Sequence, residues 1–389
     1  MRTPLRTTLS ALSAMCVLAS FSSAQNQGIQ LVTGIDGGVS YPFDARMVPP
    51  TGITVEAWVN YDDSTIPTGL FYWPTIARQN VTPNQESWNF RVSAGNTGSR
   101  SLQFIVRSST NQLYSATYTF AAGEFAAFTH LAGTFDGQTI RIFKNAVLVA
   151  SFTVPLLTEI QNNGGDLRLG NGDPITPGRE SWNGVIDEVR IWPMARTAGE
   201  LAATKDQQLS GMPGGVLIFA LNGSYVGDGG SPVGTPFGSI NFAPGAPGLV
   251  TVMPFLLSLG QPTSTCPRSS EILVGSAPLL GNSNFTFWCV RGPRPANSPA
   301  GAVFAADLAA PLSQPPILGV AVAFDLATIV ASAVLAPPTD ALGNAKFVLP
   351  IPNQTGILGL GWVFQFVFLD ALCGPQGISA SNGLVFAIQ

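Results

Sequence analysis

From Ile53 to Trp192 the sequence repeats one device, a short run of alternating apolar and polar residues followed by a break of Gly, Pro, Asn or Asp. Side chains on an extended chain alternate sides with a period of two, so each run can bury one face and wet the other. Ile53-Thr-Val-Glu-Ala-Trp-Val59 gathers Ile53, Val55, Ala57 and Val59 on one side. Trp88 to Val92, Leu102 to Val106 and Leu113 to Thr119 continue the series. Phe128 to Phe135 runs into Asp136-Gly137, a two-residue hairpin signal, and Thr139 to Lys144 answers it. Asn145-Ala146 turns the chain into Val147 to Val154, and Leu167 to Gly170 and Gly184 to Trp192 close the set. Only Thr197 to Lys205 reads as a helix, with Thr197 as N-cap and Glu200 at capping-box spacing. Many short strands and one short helix predict an all-β sandwich or jelly roll.

Composition narrows the function classes. The 42 glycines and 31 prolines suit a turn-rich β protein, while charged residues make up 10% against ~25% in average domains. Eighteen basic against 22 acidic residues, with Lys144, Lys205 and Lys346 the lysines, leave no footprint for nucleic acid and a poor match to anionic polymers or lipid. Arg2 and Arg6, the apolar stretch Leu9–Phe21 and Ser22-Ser23-Ala24 read as a signal peptide over 1–24, so a secreted, extracellular or cell-envelope location is expected. Export leaves Cys266, Cys289 and Cys373, enough for one disulfide whose pairing the sequence leaves open. The apolar run Ile317–Ala336 carries Asp325 near its centre, which costs ~2.5–3.5 kcal/mol in a bilayer. It is expected to form two buried strands and no membrane span.

Five segments in series carry a resemblance: Thr54-Val-Glu-Ala-Trp-Val59, Phe128-Thr-His-Leu-Ala-Gly-Thr-Phe-Asp-Gly137, Ile140-Arg-Ile-Phe-Lys-Asn145, Leu167-Arg-Leu-Gly170 and Trp182-Asn-Gly-Val-Ile-Asp-Glu-Val-Arg-Ile-Trp192. Their order and spacing over residues 28–205 resemble the laminin-G-like family of the concanavalin A superfamily. The family's usual Trp near Phe128 is missing, and Lys144-Asn145-Ala146 stands where Asp-Gly is preferred; both changes suit a hairpin core. The resemblance implies a concanavalin A-like jelly-roll sandwich over 25–205. An ordered Gly/Pro-rich linker is expected over 206–255, and a second, smaller β-sandwich over 256–389. Cys266-Pro267, Phe285 to Cys289, Ile351-Pro352 and Ser381-Asn-Gly-Leu384 make that second unit resemble a C-terminal sandwich of exported planctomycete-type bacterial proteins. Trp362, Phe364, Phe366 and Phe368 alternate with the largely apolar Gly361, Val363, Gln365 and Val367, which predicts a central strand buried on each side, or one covered by the neighbouring domain.

Catalysis finds little support in the residues. A glycosidase of this fold needs two carboxylates ~5–5.5 Å apart on one strand face. Asp187-Glu188 point to opposite faces and Glu56 is isolated, so the chain is expected not to be an enzyme. His130 is the sole histidine, which excludes a His-rich zinc site and a Ser-His-Asp set with any other partner; a structural role is expected. In laminin-G-like domains the acid matching Asp187 often helps hold calcium or anchors the first strand by hydrogen bonds. On the first alternative its partner would be Asp36, and calcium, which needs 6–8 oxygen ligands, would be a structural cofactor. Sugar binding asks for exposed aromatic faces beside planar polar groups. Phe71, Tyr72 and Trp73 stand in a row, followed by Asn80, Asn84 and Glu86; Tyr72, Trp73, Asn80, Asn84 and Glu86 are the candidate ligand contacts. The expectation is a non-catalytic binding module for carbohydrate or an extracellular surface protein. The alternative is a structural or adhesive envelope or matrix protein, with a glycoside-active enzyme third.

Overall fold

The structure, a computed structural model, describes residues 26–32, 34–50, 52–64, 71–80, 85–94, 99–172, 179–209, 216–228, 231–252, 256–259, 271–274, 278–290, 299–305, 329–334, 339, 344–358, 360–369 and 377–388. The expected signal peptide, Asn84, Cys266 and Cys373 lie outside them; Cys289 is described and buried. The first strands are β1 (Gln27–Leu31), β2 (Gly37–Tyr41), β3 (Ile53–Val59), β4 (Thr75–Asn80), β5 (Glu86–Ala94) and β6 (Arg100–Arg107). They are followed by β7 (Leu113–Thr119), β8 (Thr129–Phe135), β9 (Thr139–Lys144), β10 (Val147–Thr153), β11 (Asp166–Leu169) and β12 (Gly184–Trp192), then helix α1 (Ala198–Thr204). Next come β13 (Gln207–Leu209), β14 (Leu217–Phe219), β15 (Thr235–Gly238), β16 (Asn241–Pro244) and β17 (Val250–Val252).

Two antiparallel sheets face each other. One runs β10-β9-β8-β3-β12-β1-β16 with β14 also on β12, and the other runs β15-β2-β11-β4-β5-β6-β7. The alternation read in the sequence decides what lies between them. Trp88, Phe90, Phe104 and Leu167 from the second sheet pack into one cluster with Val55, Leu131, Ile140 and Ile186 from the first. Each large side chain so buried contributes ~1.5–3 kcal/mol. The layers meet tightly where Gly133 on β8 passes the Phe104 ring, because any Cβ there would run into that ring. Gly137, at φ 89°, turns the β8–β9 hairpin, and Asn145 and Ala146, at φ 49° and 65°, turn β9 into β10. This is the left-handed pair that a two-residue hairpin requires.

The stretch 206–255, expected as a linker, supplies strands of the first sandwich. Ile29 of β1 lies between Ile186 of β12 and Phe242 of β16, Pro236 of β15 pairs with Val39, and Phe219 of β14 pairs with Val189. These strands are three or four residues long and broken by Gly and Pro, so they lack the alternation that marks the others. Without them β1 and β2 would be open edges with unpaired backbone groups.

The second unit contains β18 (Leu256–Leu259), β19 (Glu271–Val274), β20 (Thr286–Val290), β21 (Ala300–Ala305) and β22 (Ile329–Val334). It continues with β23 (Ala345–Val348), β24 (Gly361–Leu369), β25 (Ile378–Ala380) and β26 (Gly383–Ala387). A sheet ordered β18-β26-β24-β21-β22, with β25 on β24, accompanies a three-stranded sheet β19-β20-β23. Of the two alternatives for β24 the first holds: the strand is central, paired on both sides, with Phe364, Phe366 and Phe368 buried. Phe287 stacks on Phe364 at 3.9 Å between ring centroids. Of the run 317–336, only β22 is described, and no described helix is long and apolar enough to cross a membrane.

The same apolar cluster takes in Trp192, Met194 and Ile218 from the first unit and Phe285, Phe287 and Phe364 from the second. Trp192, Met194 and Ile218 lie on the far side of the first sheet, so that sheet has its outer face covered by α1 and the second sandwich. The other outer face, on β4, β5 and β6, is where the polar side chains collect.

Candidate functional site

On β5 the core takes Trp88, Phe90 and Val92, which sends Ser87, Asn89 and Arg91 to the opposite face. Asn89 pairs in register with Arg78 on β4 and Ile105 on β6, and Arg91 with Thr75 and Gln103. Arg78 is buried and reaches two carboxylates, Glu180 Oε2 through Nη1 at 2.9 Å and Glu86 Oε2 through Nη2 at 3.1 Å. Arg107 approaches the same Glu86 Oε2 at 3.8 Å and donates through Nε to the Glu86 carbonyl at 3.0 Å. A buried ion pair survives desolvation only with such additional hydrogen bonds. Glu180 arrives from the segment before β12, fixed where the Thr75 amide donates to its carbonyl at 2.9 Å. Gly172 completes the packing, since a Cβ there would lie 2.9 Å from Arg78 Cδ and Thr75 Oγ1 and would collide with Glu180.

Aromatic side chains border this floor. The Phe71 and Trp73 rings lie parallel, 6.3 Å apart with 9° between their planes, Phe71 exposed and Trp73 half-buried. The Trp73 amide donates to the Arg179 carbonyl at 3.0 Å, and Arg91 Cζ lies 5.9 Å from the Trp73 ring centroid. Tyr72, between them, turns the other way. It is buried and bridges to Ala94 by two backbone hydrogen bonds, so the aromatic surface is Phe71 and Trp73. Asn80 and Glu86 pair in register at the far end of β4, both buried, and Asn80 Oδ1 has no partner. Trp73, Asn80 and Glu86 thus share a face that Tyr72 leaves, and Asn84 is outside the described residues.

A second polar cluster lies on the outer face of the other sheet. Glu56, isolated in the sequence, accepts from Trp192 Nε1 at 2.7 Å and Arg196 Nη1 at 3.1 Å, with Arg190 Nη1 at 3.5 Å. His130 Nε2 sits 3.3 Å away. Burial pushes the Glu56 carboxyl up, but Arg196, His130 and Arg190 outweigh it and hold it far below the usual range. Burial also holds the His130 ring below its ordinary value, despite Glu56. With α1 packed over it, this network has a structural role, and His130 falls within it. The expected capping box is present, Thr197 N donating to Glu200 Oε2 at 2.8 Å.

Asp36 and Asp187, paired by the resemblance as calcium ligands, are each engaged by other partners. Asp187 is on β12, where one carboxylate oxygen accepts the Ala246 amide and the other the Glu188 amide, both at 2.8 Å. Asp36 is not on β1 but beyond it, where the chain crosses into the other sheet, and it accepts from Asn171 Nδ2. Among the described residues no three His, Cys, Asp or Glu side chains converge on a metal position. The donor set fits the other alternative, an Asp187 that fastens chain segments by hydrogen bonds, including one from the Asn26 side chain ahead of β1. Burial pushes the Asp187 carboxyl up to about 6 and that of Glu188, although paired with Arg190 at 3.1 Å, to about 8.

Sequence reasoning missed Arg78, Asn89, Arg91 and Arg107. The alternation of Trp88 to Val92 already places Asn89 and Arg91 on one side, a signal available by counting. Arg78 had no such signal, because β4 is bulged and all six of its residues are buried.

Residues 33–202 match the family model described as the concanavalin A-like lectin/glucanases superfamily, so this part of the chain is a laminin-G-like, concanavalin A-like domain. No curated protein matches the chain. Among solved structures it is similar to a heptameric SAP-like pentraxin from Limulus polyphemus, at 12% identity and TM-score 0.40, covering 58% of this chain and 98% of that one. A putative carbohydrate binding protein from Bacteroides ovatus aligns at 18% identity and TM-score 0.41, with 58% of this chain and 61% of that one covered. The CBM40 module of the Ruminococcus gnavus IT-sialidase aligns at 15% identity and TM-score 0.32, over 46% and 96%.

Proposed function

We propose that the first sandwich is a non-catalytic carbohydrate-binding module of an exported protein, with the outer face of β4, β5 and β6 as its binding face. The observation that carries this reading is the parallel Phe71–Trp73 pair with the half-buried Arg91 guanidinium beside it, above a buried polar layer of Arg78, Glu86, Asn89 and Glu180 that holds the face rigid. The C–H face of a sugar ring packs on an aromatic ring, while its paired hydroxyls suit carboxylates, amides and guanidinium groups held in fixed planes. Membership of this region in a lectin and glucanase superfamily supports the same reading. Hydrolysis fits the site poorly. The two carboxylates that meet there, Glu86 and Glu180, have the Arg78 guanidinium between them, where a glycosidic oxygen would have to lie.

A structural or adhesive role is the second reading, favoured by the edge strand β10 and its exit. Val147, Leu148, Phe152, Leu156 and Leu157 are exposed there, on a strand paired along one side only. A glycan-array screen of the chain from Gln25 onward, with Trp73→Ala in parallel, separates the two. Binding to a defined glycan that Trp73→Ala weakens by about tenfold or more supports the module. Absence of binding to any glycan, or binding indifferent to Trp73, overturns it and leaves the adhesive reading in front.

A further inference from the structure

The charges on the binding face do not cancel. Arg78 and Arg107 stand against Glu180 and Glu86, two arginines for two carboxylates. Arg91 is a further cation on the same face, as is Arg168 on β11 in register with Arg78, and no carboxylate of a described residue lies within 4.0 Å of Arg91. Its Nε donates to Gln103 Oε1 at 3.3 Å and its Cζ lies 5.9 Å from the Trp73 ring, but its two Nη groups have no partner among the described residues. Burial holds this guanidinium below its ordinary value, with Glu180 the largest opposing influence. Two residues back on the same face, Asn89 is fully buried and neither its amide nitrogen nor its oxygen finds a partner. Buried amides are nearly always satisfied, so this one stands out beneath the face on which Arg91 lies.

We propose that the binding face takes an acidic glycan, with Arg91 receiving the carboxylate of a uronic acid residue whose ring lies toward Trp73. This rests on the carbohydrate-binding reading above and assigns the class of sugar to it. The guanidinium fork matches a carboxylate in two parallel hydrogen bonds, and the half-buried position beside an aromatic ring removes competing water. Long-range attraction contributes little, because the chain carries more acidic than basic residues and few lysines. Recognition is therefore local to the few cations around Trp73, and binding weakens only gently with added salt, unlike that of a protein with a broad basic patch.

The test is calorimetric titration of the chain from Gln25 onward with tetrasaccharides of galacturonate and mannuronate and with a hyaluronan tetrasaccharide, each against its methyl ester. Esterification removes the charge and leaves the sugar rings. At least one acid is expected to bind about tenfold or more tighter than its ester. Arg91→Gln is expected to bring the acid down to the level of the ester, and Arg91→Lys to restore only part of the preference. Thermal unfolding of both variants shows whether they fold. Neutral glycans bound on the array with no acid outbinding its ester would overturn this inference alone, as would an acid preference that survives Arg91→Gln. If no glycan binds, charged or neutral, the carbohydrate reading itself falls.

Discussion

Trp288, in the second sandwich, donates its indole N–H to Glu200 Oε1 at 3.0 Å, and Glu200 is the residue that closes the capping box of α1 in the first. Lys346 Nζ reaches the same oxygen at 3.1 Å and lies 4.7 Å from the Trp288 ring centroid. Burial pushes the Glu200 carboxyl up, and Lys346, the Thr197 amide and Arg196 more than offset it. One carboxylate thus serves a helix terminus and a junction between units.

Trp288→Phe keeps the ring and removes the donor. A hydrogen bond to a charged group is worth about 1.5–3 kcal/mol, so the variant should unfold several degrees lower. With an apolar cluster shared across the junction, the natural chain from Gln25 onward should show one calorimetric transition. Two separate transitions in that chain would contradict a common core.

Gly133→Ala adds a methyl group against the Phe104 ring in the middle of the first sandwich. Phe104 has little room to yield, since it meets Phe90 edge-on at 5.6 Å. The expected loss is about 1–3 kcal/mol, read from the midpoint of urea unfolding. A variant as stable as the natural chain would mean that the two sheets are less tightly apposed than described.

Stability should fall as pH rises from about 5.5 to 8. Asp187, at about 6 against 3.8, and Glu188, at about 8 against 4.5, both hold their protons more tightly in the folded chain. The folded state therefore binds more protons across that window, and raising the pH disfavours it. Glu56 acts in the opposite sense, its contribution present above its ordinary value and lost in acid. So does His130, whose lowered value makes stability rise with pH up to its ordinary 6.5, so the fall is cleanest above that point. Glu188→Gln should flatten the slope between pH 5.5 and 8 in urea titrations. An unchanged slope would show that other groups set it.

Chelation should leave the first sandwich alone. Because Asp187 spends both oxygens on backbone amides and Asp36 stands in the connection between β1 and β2, bonded to Asn171, calcium added or removed should shift the melting temperature by less than about 1 °C. A rise of several degrees with calcium would point to ligands beyond those described.

The strands with a clean period of two, β3, β5, β6, β8, β9 and β12, were legible because their alternation is the sandwich's own inside and outside. The helix was legible from Thr197 and Glu200, two residues whose chemistry is local. The strands β14, β15 and β16 were not, because each is too short to show a period and contacts decide its conformation. At the site, Asn89 and Arg91 could be placed on one face by counting, but the Arg78–Glu180 contact joins residues 102 positions apart. The sequence named Asp36 and Asp187 together through first-strand adjacency. The adjacency holds for β1 and β12, and Asp36 falls outside it because it stands past the end of β1.

The seat of β1 between β12 and β16 also orders events in time. Synthesis delivers β1 first among these strands, yet Ile29 gains one neighbour only when Ile186 has emerged and the other only with Phe242. Until then the opening strand must remain open-edged while most of its sandwich is made behind it. Contacts this distant along the chain make closure slow. The return of β16 to the beginning of the chain is therefore what closes this edge, and a nascent polypeptide halted before Asn241 still presents it unpaired.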